Sequence, residues 1–339
     1  MKTIVKKADE ESINEACRLI KNGDIVAVPT ETVYGIAANA FDGEAIKKIF
    51  TAKGRPQDNP LIVHISDMNM LNDVVKSVPN DAYALADAFW PGPLTMIMPK
   101  GDKVAKETCA GLDSVGVRMP SNPVAHEIIA RSGLPFAAPS ANISGRPSPT
   151  NAEDVFFDMD GRLPLIIDGG ECFAGVESTV VSLLGEKPII LRPGYITKED
   201  MQSVLNKEVL LSAAITEGVK EGDKVLSPGM KYKHYAPNAQ VYIVDGDFDA
   251  FKAYVCSKKD NGVFCLCFDG EEKDLPVECV TYGKKERADE QAHNLFTALR
   301  RLDEKKAEVV YARCPEKTGI GLAVYNRLIR AAAFRVIKV

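Results

Sequence analysis

Histidine, paired cysteine and long apolar runs are what this chain of 339 residues has least of, and each shortage removes a class of function. Its four histidines, His64, His126, His234 and His293, never fall at HxxxH or HExxH spacing, so no zinc-hydrolase motif is present. The eight cysteines are scattered without a CxxC pair. The closest two, Cys265 and Cys267, sit in an apolar strand-like run, so buried free thiols are expected in place of a disulfide framework or structural zinc. No protein-ligated metal is expected. No run of about 18 apolar residues occurs, and the N-terminal MKTIVKKADEESINEACRLI lacks the apolar core of a secretion signal. The expectation is a soluble, cytoplasmic protein with no membrane association. GxxxxGK[ST] and GxGxxG are missing too, which excludes a Walker loop and a dinucleotide fingerprint. Basic residues do not predominate: 42 Lys and Arg against 47 Asp and Glu give a net charge of -5, so any contact with RNA would need a local patch.

What is there reads as globular. Hydrophobic residues make up 45% and charged residues 26%, and the length predicts two domains with separate cores. Residues 9 to 22 place Ile13, Ala16, Cys17 and Ile20 on one helical face, with Gly23 where a left-handed cap would sit. Strands are predicted at IVAVP (25 to 29), LIVHI (61 to 65), PGPLTMIMP, VGVRMP, PFAAPS, LPLIIDGG, STVVSLL and PIILRPG, with helices near 43 to 52 and up to Trp90. The last three strands have short links with no room for crossover helices, so part of the sheet should be antiparallel. The fold class is α/β: a twisted mixed parallel and antiparallel sheet with helices over 1–207. A Pro/Gly-punctuated linker or lid follows over 208–239, containing SPGMKYKHYAP. Beyond it, QVYIVDG, GVFCLCF, CVTYG and VVYAR alternate with helical stretches, predicting a smaller Rossmann-like α/β domain over 240–339.

Four segments place polar residues directly after apolar strands, where open α/β sheets bind ligands. They are PTETVYG (29 to 35), KGRPQDNPLIVH (53 to 64), SVGVRMP with APSANISGRPSPT, and GVESTVV with LRPG. Together they concentrate Thr, Ser, Asn and Arg, a mixture that suits a ligand bearing phosphates and a carboxylate, since the Arg fork pairs bidentately with both.

These segments, above all Lys53-x-Arg55 and Ser140-x-Asn142 together with PTETVYGIAANA, GVESTVV and LRPG, resemble the signature of the threonylcarbamoyl-AMP synthase family, the YrdC-like proteins. The resemblance runs over about 1 to 205, and HYAP with the appended domain is similar to the long form of that family. It implies a nucleotidyltransferase that joins L-threonine, bicarbonate and ATP into threonylcarbamoyl-AMP, with Mg²⁺ carried by the ATP. The product would serve N6-threonylcarbamoyladenosine formation next to the tRNA anticodon through downstream tRNA-modifying transferase machinery; direct tRNA binding by this chain is left open. It further implies that Thr32, His64, Arg118, Ala138 and Ser178 hold threonine, and that Arg55, Asn59, Ser114, Ser140, Ser148 and Arg192 hold ATP; Asn142, in the Ser140-x-Asn142 pair, and Tyr235 are expected on the ATP side as well. Lys53, Arg55 and His64 are the implied catalytic set, with Lys53, Arg55 and Arg192 suited to phosphate and Arg118 to the threonine carboxylate. Tyr235 is the linker residue expected to reach the nucleotide.

Duller readings stand beside these. Arg118 could be an ion-pair partner within a strand, His64 a satisfied core imidazole, Thr32 and Ser178 turn or cap hydroxyls, and Lys231 and Lys233 ordinary solvated charges. Two rivals differ in class: a double-stranded RNA or tRNA-binding module without turnover, and a carbamoyl-AMP-forming maturation protein. The latter would bring zinc-binding CxxC pairs, which this sequence lacks.

Overall fold

The computed structural model describes residues 2–217, 234–258 and 260–339. The first helix shows how local sequence sets the elements. The Asp9 carboxylate accepts from the Ser12 N–H at 2.8 Å while the Ser12 hydroxyl accepts from the Asp9 N–H at 3.0 Å, a reciprocal cap that opens α1 (Glu10–Lys21). Its buried stripe is Ile13, Ala16, Cys17 and Ile20, and Gly23 follows with φ 71°. The further helices of this half are α2 (Gly43–Lys53), α3 (Met68–Val74), α4 (Asn80–Phe89), α5 (Pro123–Ser132), α6 (Ala152–Met159), α7 (Lys198–Leu205) and α8 (Ala214–Glu217).

One mixed sheet contains β1 (Ile4–Lys7), β2 (Val26–Val28), β3 (Gly35–Asn39), β4 (Ile62–His64), β5 (Leu94–Pro99) and β6 (Ser114–Arg118). It continues with β7 (Phe136–Ala137), β8 (Leu165–Asp168), β9 (Thr179–Ser182), β10 (Ile189–Arg192) and β11 (Leu210–Leu211), in the spatial order β1-β8-β2-β3-β7-β4-β6-β5-β9-β10-β11. The predicted antiparallel pairing is present between β9 and β10, but β8 lies between β1 and β2, parallel to both, on the far side of the sheet from β9. The stretch between β8 and β9 therefore crosses the sheet and makes no hairpin, an outcome that link length could not reveal. β3 was not predicted, because its Gly35 and alanines carry little β propensity and gain their place only by pairing with β2 and β7. β11, inside the stretch expected to be linker, adds to the sheet beside β10.

Alternation along β4 and β6 decides where a ligand can go. Val63 and Val117 point into the main apolar core, whereas Ile62, His64 and Arg118 face the other way, and parallel register sets His64 beside Arg118. On that second face α1 and α5 cover β2, β7 and β8. Ile62, Ile97 and Val180 make a small apolar patch farther along. Between them lies the cavity described below, so the ligand site sits across a sheet face and not at the strand carboxyl edge the sequence suggested. In a sheet whose neighbouring strands run in opposite directions there is no single carboxyl edge.

The C-terminal half is a parallel sheet of β12 (Gln240–Asp245), β13 (Val263–Cys267), β14 (Glu278–Thr281), β15 (Val309–Arg313) and β16 (Val336–Lys338), in the order β14-β13-β15-β12-β16. Helices α9 (Phe248–Cys256), α10 (Ala288–Glu304) and α11 (Gly319–Ala331) accompany it. Val33, Val176 and Tyr235 join its core, which ties the two halves together beside the cavity. All eight thiols are free; Cys256 is exposed and Cys279 and Cys314 are half-buried, so the expected burial applies to the other five.

Candidate active site

The cavity begins at the turn after β2. Thr30 Oγ1 donates to Val33 O at 2.6 Å and lies 2.9 Å from Thr32 Oγ1, closing the PTETV turn and presenting Thr32 to Arg118, whose Nη1 donates to it at 2.8 Å. Arg118 also places Nη2 2.7 Å from Glu31 Oε2 and donates from Nε to Gly92 O at 3.3 Å. Burial alone would raise the Glu31 carboxyl, but Arg118 holds it below its usual range, so a charged pair stands behind the cavity wall. Arg118 is thus an ion-pair partner, as one reading had it, and it also lines the cavity.

His64 lies beside it, fully buried, its ring 5.6 Å from that of Phe136 and its Nδ1 donating to Ile62 O at 3.2 Å. Burial first, then the positive Arg118, push the imidazolium down from 6.5 to about 3. A ring that weakly basic is suited to contacting a substrate as a neutral imidazole. In the unfolded chain the same imidazole takes up a proton near 6.5, so this residue's contribution to stability is complete above that pH and shrinks as the pH falls toward 3. Near pH 5 the loss should be about 2 kcal/mol. Urea unfolding of the wild type and of His64→Asn at about pH 7 and pH 5 checks this; equal pH dependence in the two proteins would show that His64 does not carry it.

Lys53 corrects an expectation. It ends α2 beneath the SAN loop, and its buried Nζ donates to Ser140 O and, at 2.7 Å, to Asn142 O. Burial, then Arg55, push its ammonium well below the ordinary lysine value. Lys53 therefore holds the loop and does not line the cavity, whereas Ser140, Asn142 and Arg55 do. The Asn142 amide donates to Ile143 O at 2.8 Å and Arg146 O at 2.9 Å, completing a rigid turn. Asn59 is fully buried next to Arg55, which donates to its carbonyl at 3.3 Å, and the Asn59 side-chain amide has no hydrogen-bond partner among the described residues.

On the opposite wall, Arg192 donates from Nε to Ser178 O at 3.1 Å and from Nη2 to Ser178 Oγ at 3.2 Å, while Ser178 Oγ lies 2.8 Å from Thr95 Oγ1. The closeness requires Gly194, where a Cβ would overlap the Thr179 amide. Ala138 and Tyr235 complete the lining expected from the sequence. Tyr235 is 5% exposed with φ 63°, its ring 5.1 Å from Phe296 of the C-terminal half. Ser148 stands behind the wall, donating to Glu177 Oε1 at 2.6 Å, and Ser114 starts β6 at the end away from Arg118, pairing with Pro99. Neither lines the cavity. Lys231 and Lys233, with half of the predicted lid, fall outside the described residues.

A family model described as telomere recombination matches residues 18–194, and one described as threonylcarbamoyl-AMP synthase, C-terminal domain, matches 196–333. The threonylcarbamoyl-AMP synthase of Bacillus subtilis (strain 168) is 43% identical over 338 residues, spanning 97% of this chain and 95% of its own. This chain belongs to that family. The Schizosaccharomyces pombe synthase is 38% identical over 95% of this chain and 88% of its own. The crystal structure of Pyrococcus abyssi Sua5 complexed with L-threonine superimposes with a TM-score of 0.90 at 42% identity, covering 99% of this chain and 98% of that one.

Within this family member the cavity also holds residues the sequence reading passed over. Thr30, Val33, Arg146, Glu177 and His234 all line it. Thr30, Val33 and Glu177 lay inside quoted segments, PTETVYG and GVESTVV, but a turn-closing hydroxyl and a buried carboxylate cannot be told from their neighbours without the contacts. Four arginines, Arg55, Arg118, Arg146 and Arg192, face the cavity against one carboxylate, Glu177, an excess of positive charge suited to a polyanion. Among the described residues no helix is long and apolar enough to cross a membrane, and no cluster of three or more metal-ligating side chains occurs.

Proposed function

We propose that this chain converts L-threonine, bicarbonate and MgATP into threonylcarbamoyl-AMP, pyrophosphate and water. The observation that carries the reading is the arginine-lined cavity built from the family's own motif segments, with Arg118 and Thr32 at one end and Arg55, Ser140 and Asn142 near Lys53 at another. The threonine amine, as free base, attacks the bicarbonate carbon, and the C–O bond to its hydroxyl breaks, that oxygen leaving as water with a proton from the amine; an oxygen of the resulting carbamate then attacks the α-phosphorus, the bond to the β-phosphate bridging oxygen breaks, and pyrophosphate leaves with that electron pair. Arg118, with Thr32, Ser178 and the Ala138 backbone, holds threonine, and His64 contacts it as a neutral ring. Arg55, Ser140, Asn142 and Arg192 meet the nucleotide, where fixed guanidinium groups compensate the charge that builds on the leaving pyrophosphate, and Asn59, which does not line the cavity, supports Arg55 from behind it. Ser114 and Ser148 retain an indirect role at most. Mg²⁺ enters on the phosphate oxygens, because the cavity's carboxylate, Glu177, is already taken up by Ser148 and Arg327.

The mixed anhydride is sensitive to water, so Tyr235, which lines the cavity and packs on Phe296, helps to screen a substrate-holding region of 1–207, against which 240–339 packs. The product is the activated group for a separate tRNA-modifying transferase. Pyrophosphate release should stop when threonine or bicarbonate is left out, and serine should be used about 5- to 150-fold less well than threonine, the value of one apolar methyl contact. Release without threonine would remove the synthase reading. Salt-sensitive tRNA binding with no release would point to the RNA-binding alternative.

A further inference from the structure

Glu177 is an odd neighbour for a polyphosphate. It lines the cavity at 8% exposure and faces Arg192, yet a carboxylate there repels the phosphates the arginines attract. Its charge is met from the other half of the protein. Arg327, on α11 and with no exposed surface, donates from Nε to Glu177 Oε2 at 3.0 Å, from Nη2 to Glu177 O at 2.9 Å and from Nη1 to Pro193 O. One guanidinium thus spans the residue before Ser178 and the residue after Arg192, the two cavity residues bonded to each other across the β9–β10 pair. Asn326, next on the same helix, donates to Ile215 O at 2.8 Å, so the face of α11 that carries Arg327 is anchored on the first half. Burial would raise the Glu177 carboxyl; Arg327 first, then Arg192 and the Ser148 hydroxyl, hold it below its usual range, so it stays ionised and needs a permanent counter-charge.

We propose that Arg327 is a positioning residue for the nucleotide: by pairing with Glu177 it cancels the negative charge that this carboxylate puts on the cavity wall beside Arg192, so the C-terminal half completes the ATP site without touching ATP. The proposal rests on the synthase reading and gives the C-terminal half a task in it. With Arg327 absent, the Glu177 carboxylate turns on Arg192 and on the incoming phosphates, and ATP is affected before threonine, whose carboxylate pairs at Arg118.

The experiment compares Arg327→Met, Arg327→Lys, Glu177→Gln and the double variant Arg327→Met/Glu177→Gln, each checked for folding by circular dichroism. ATP and threonine KM are read from pyrophosphate release, and ATP and threonine Kd from calorimetry. Arg327→Met should raise the ATP constants about 30-fold and the threonine constants less than about 3-fold, because the charge left behind acts on Arg192 of the ATP subsite while Ser178 keeps its bonds to Arg192 and Thr95. Arg327→Lys, which keeps the charge and loses the fork, should lie between the wild type and Arg327→Met. The decisive arm is the double variant: with the carboxylate neutralised, its ATP constants should return to within about 3-fold of those of Glu177→Gln alone. Equal shifts in both substrates, unchanged ATP constants, or a double variant as impaired as Arg327→Met would overturn the proposal. Should Arg327→Met fail to fold, the double variant alone decides: folding with ATP constants near those of Glu177→Gln supports the pairing, and failure to fold overturns it. A wild-type protein that binds ATP and threonine but releases no pyrophosphate would count against the synthase reading, while the calorimetric comparison still judges Arg327.

Discussion

Replacing Lys53 with methionine should lower kcat/KM for pyrophosphate release by about a hundredfold while the protein stays folded. Methionine matches the lysine stem in volume, so packing at the end of α2 is retained. What disappears is the ammonium that donates to Ser140 O and Asn142 O, which then face each other buried and unmet. Each stranded carbonyl costs about 1 to 3 kcal/mol, and the loop is expected to relieve that cost by moving. A displacement of about 1 Å is enough to cost a hundredfold in rate when the loop positions reacting groups. Ser140 and Asn142 both line the cavity, so the damage should fall on ATP use more than on threonine binding. The assay is pyrophosphate release with threonine, bicarbonate and MgATP all supplied. A folded Lys53→Met enzyme within tenfold of the wild type would show that the loop holds its shape unaided.

Arg118→Ala should weaken threonine by about 2 to 4 kcal/mol, roughly 30- to 1,000-fold, and leave ATP affinity within about threefold. The basis is the partner set: Thr32 and Glu31 fix the guanidinium from one side while it faces the cavity from the other. Removing it also leaves the Glu31 carboxylate buried without its counter-charge, which should destabilise the fold by about 3 to 5 kcal/mol. Threonine titration must therefore be made on Arg118→Ala/Glu31→Gln as well, where that charge is gone. Threonine bound as tightly by this double variant as by the wild type would remove Arg118 from the threonine subsite; a loss on ATP instead would exchange the two subsites.

Much of this site could be read before any contact was known, and the reason is local. The segments that supply the cavity were legible as polar residues beside apolar strands, with β6 marked by alternation and β4 by an apolar run, whereas Thr32, Ser140 and Asn142 were singled out by the family resemblance. Ala138 directly follows β7 and Ser178 directly precedes β9. Lys53 shows the limit: its place in a motif was legible, but a lysine at the end of a helix can face ligand or loop, and only the path of the SAN segment above α2 assigns it to the loop. His64 is similar. Its position at the end of an apolar strand was plain, whereas its weak basicity comes from complete burial beside Arg118, a neighbour 54 residues away that parallel pairing of β4 with β6 brings alongside.

By itself the sequence determined the α/β alternation, the caps and strand faces, the family and the segments that supply the cavity, because each of these depends on residues a few positions apart. The tertiary structure alone decided the strand order, the placement of the cavity on a sheet face, the separation of Ser114 and Ser148 from it, and the meeting of Arg327 with Glu177 across 150 positions. Those outcomes depend on which distant charges and apolar faces can be buried together. A buried ion declares its partner only when both have been taken out of water.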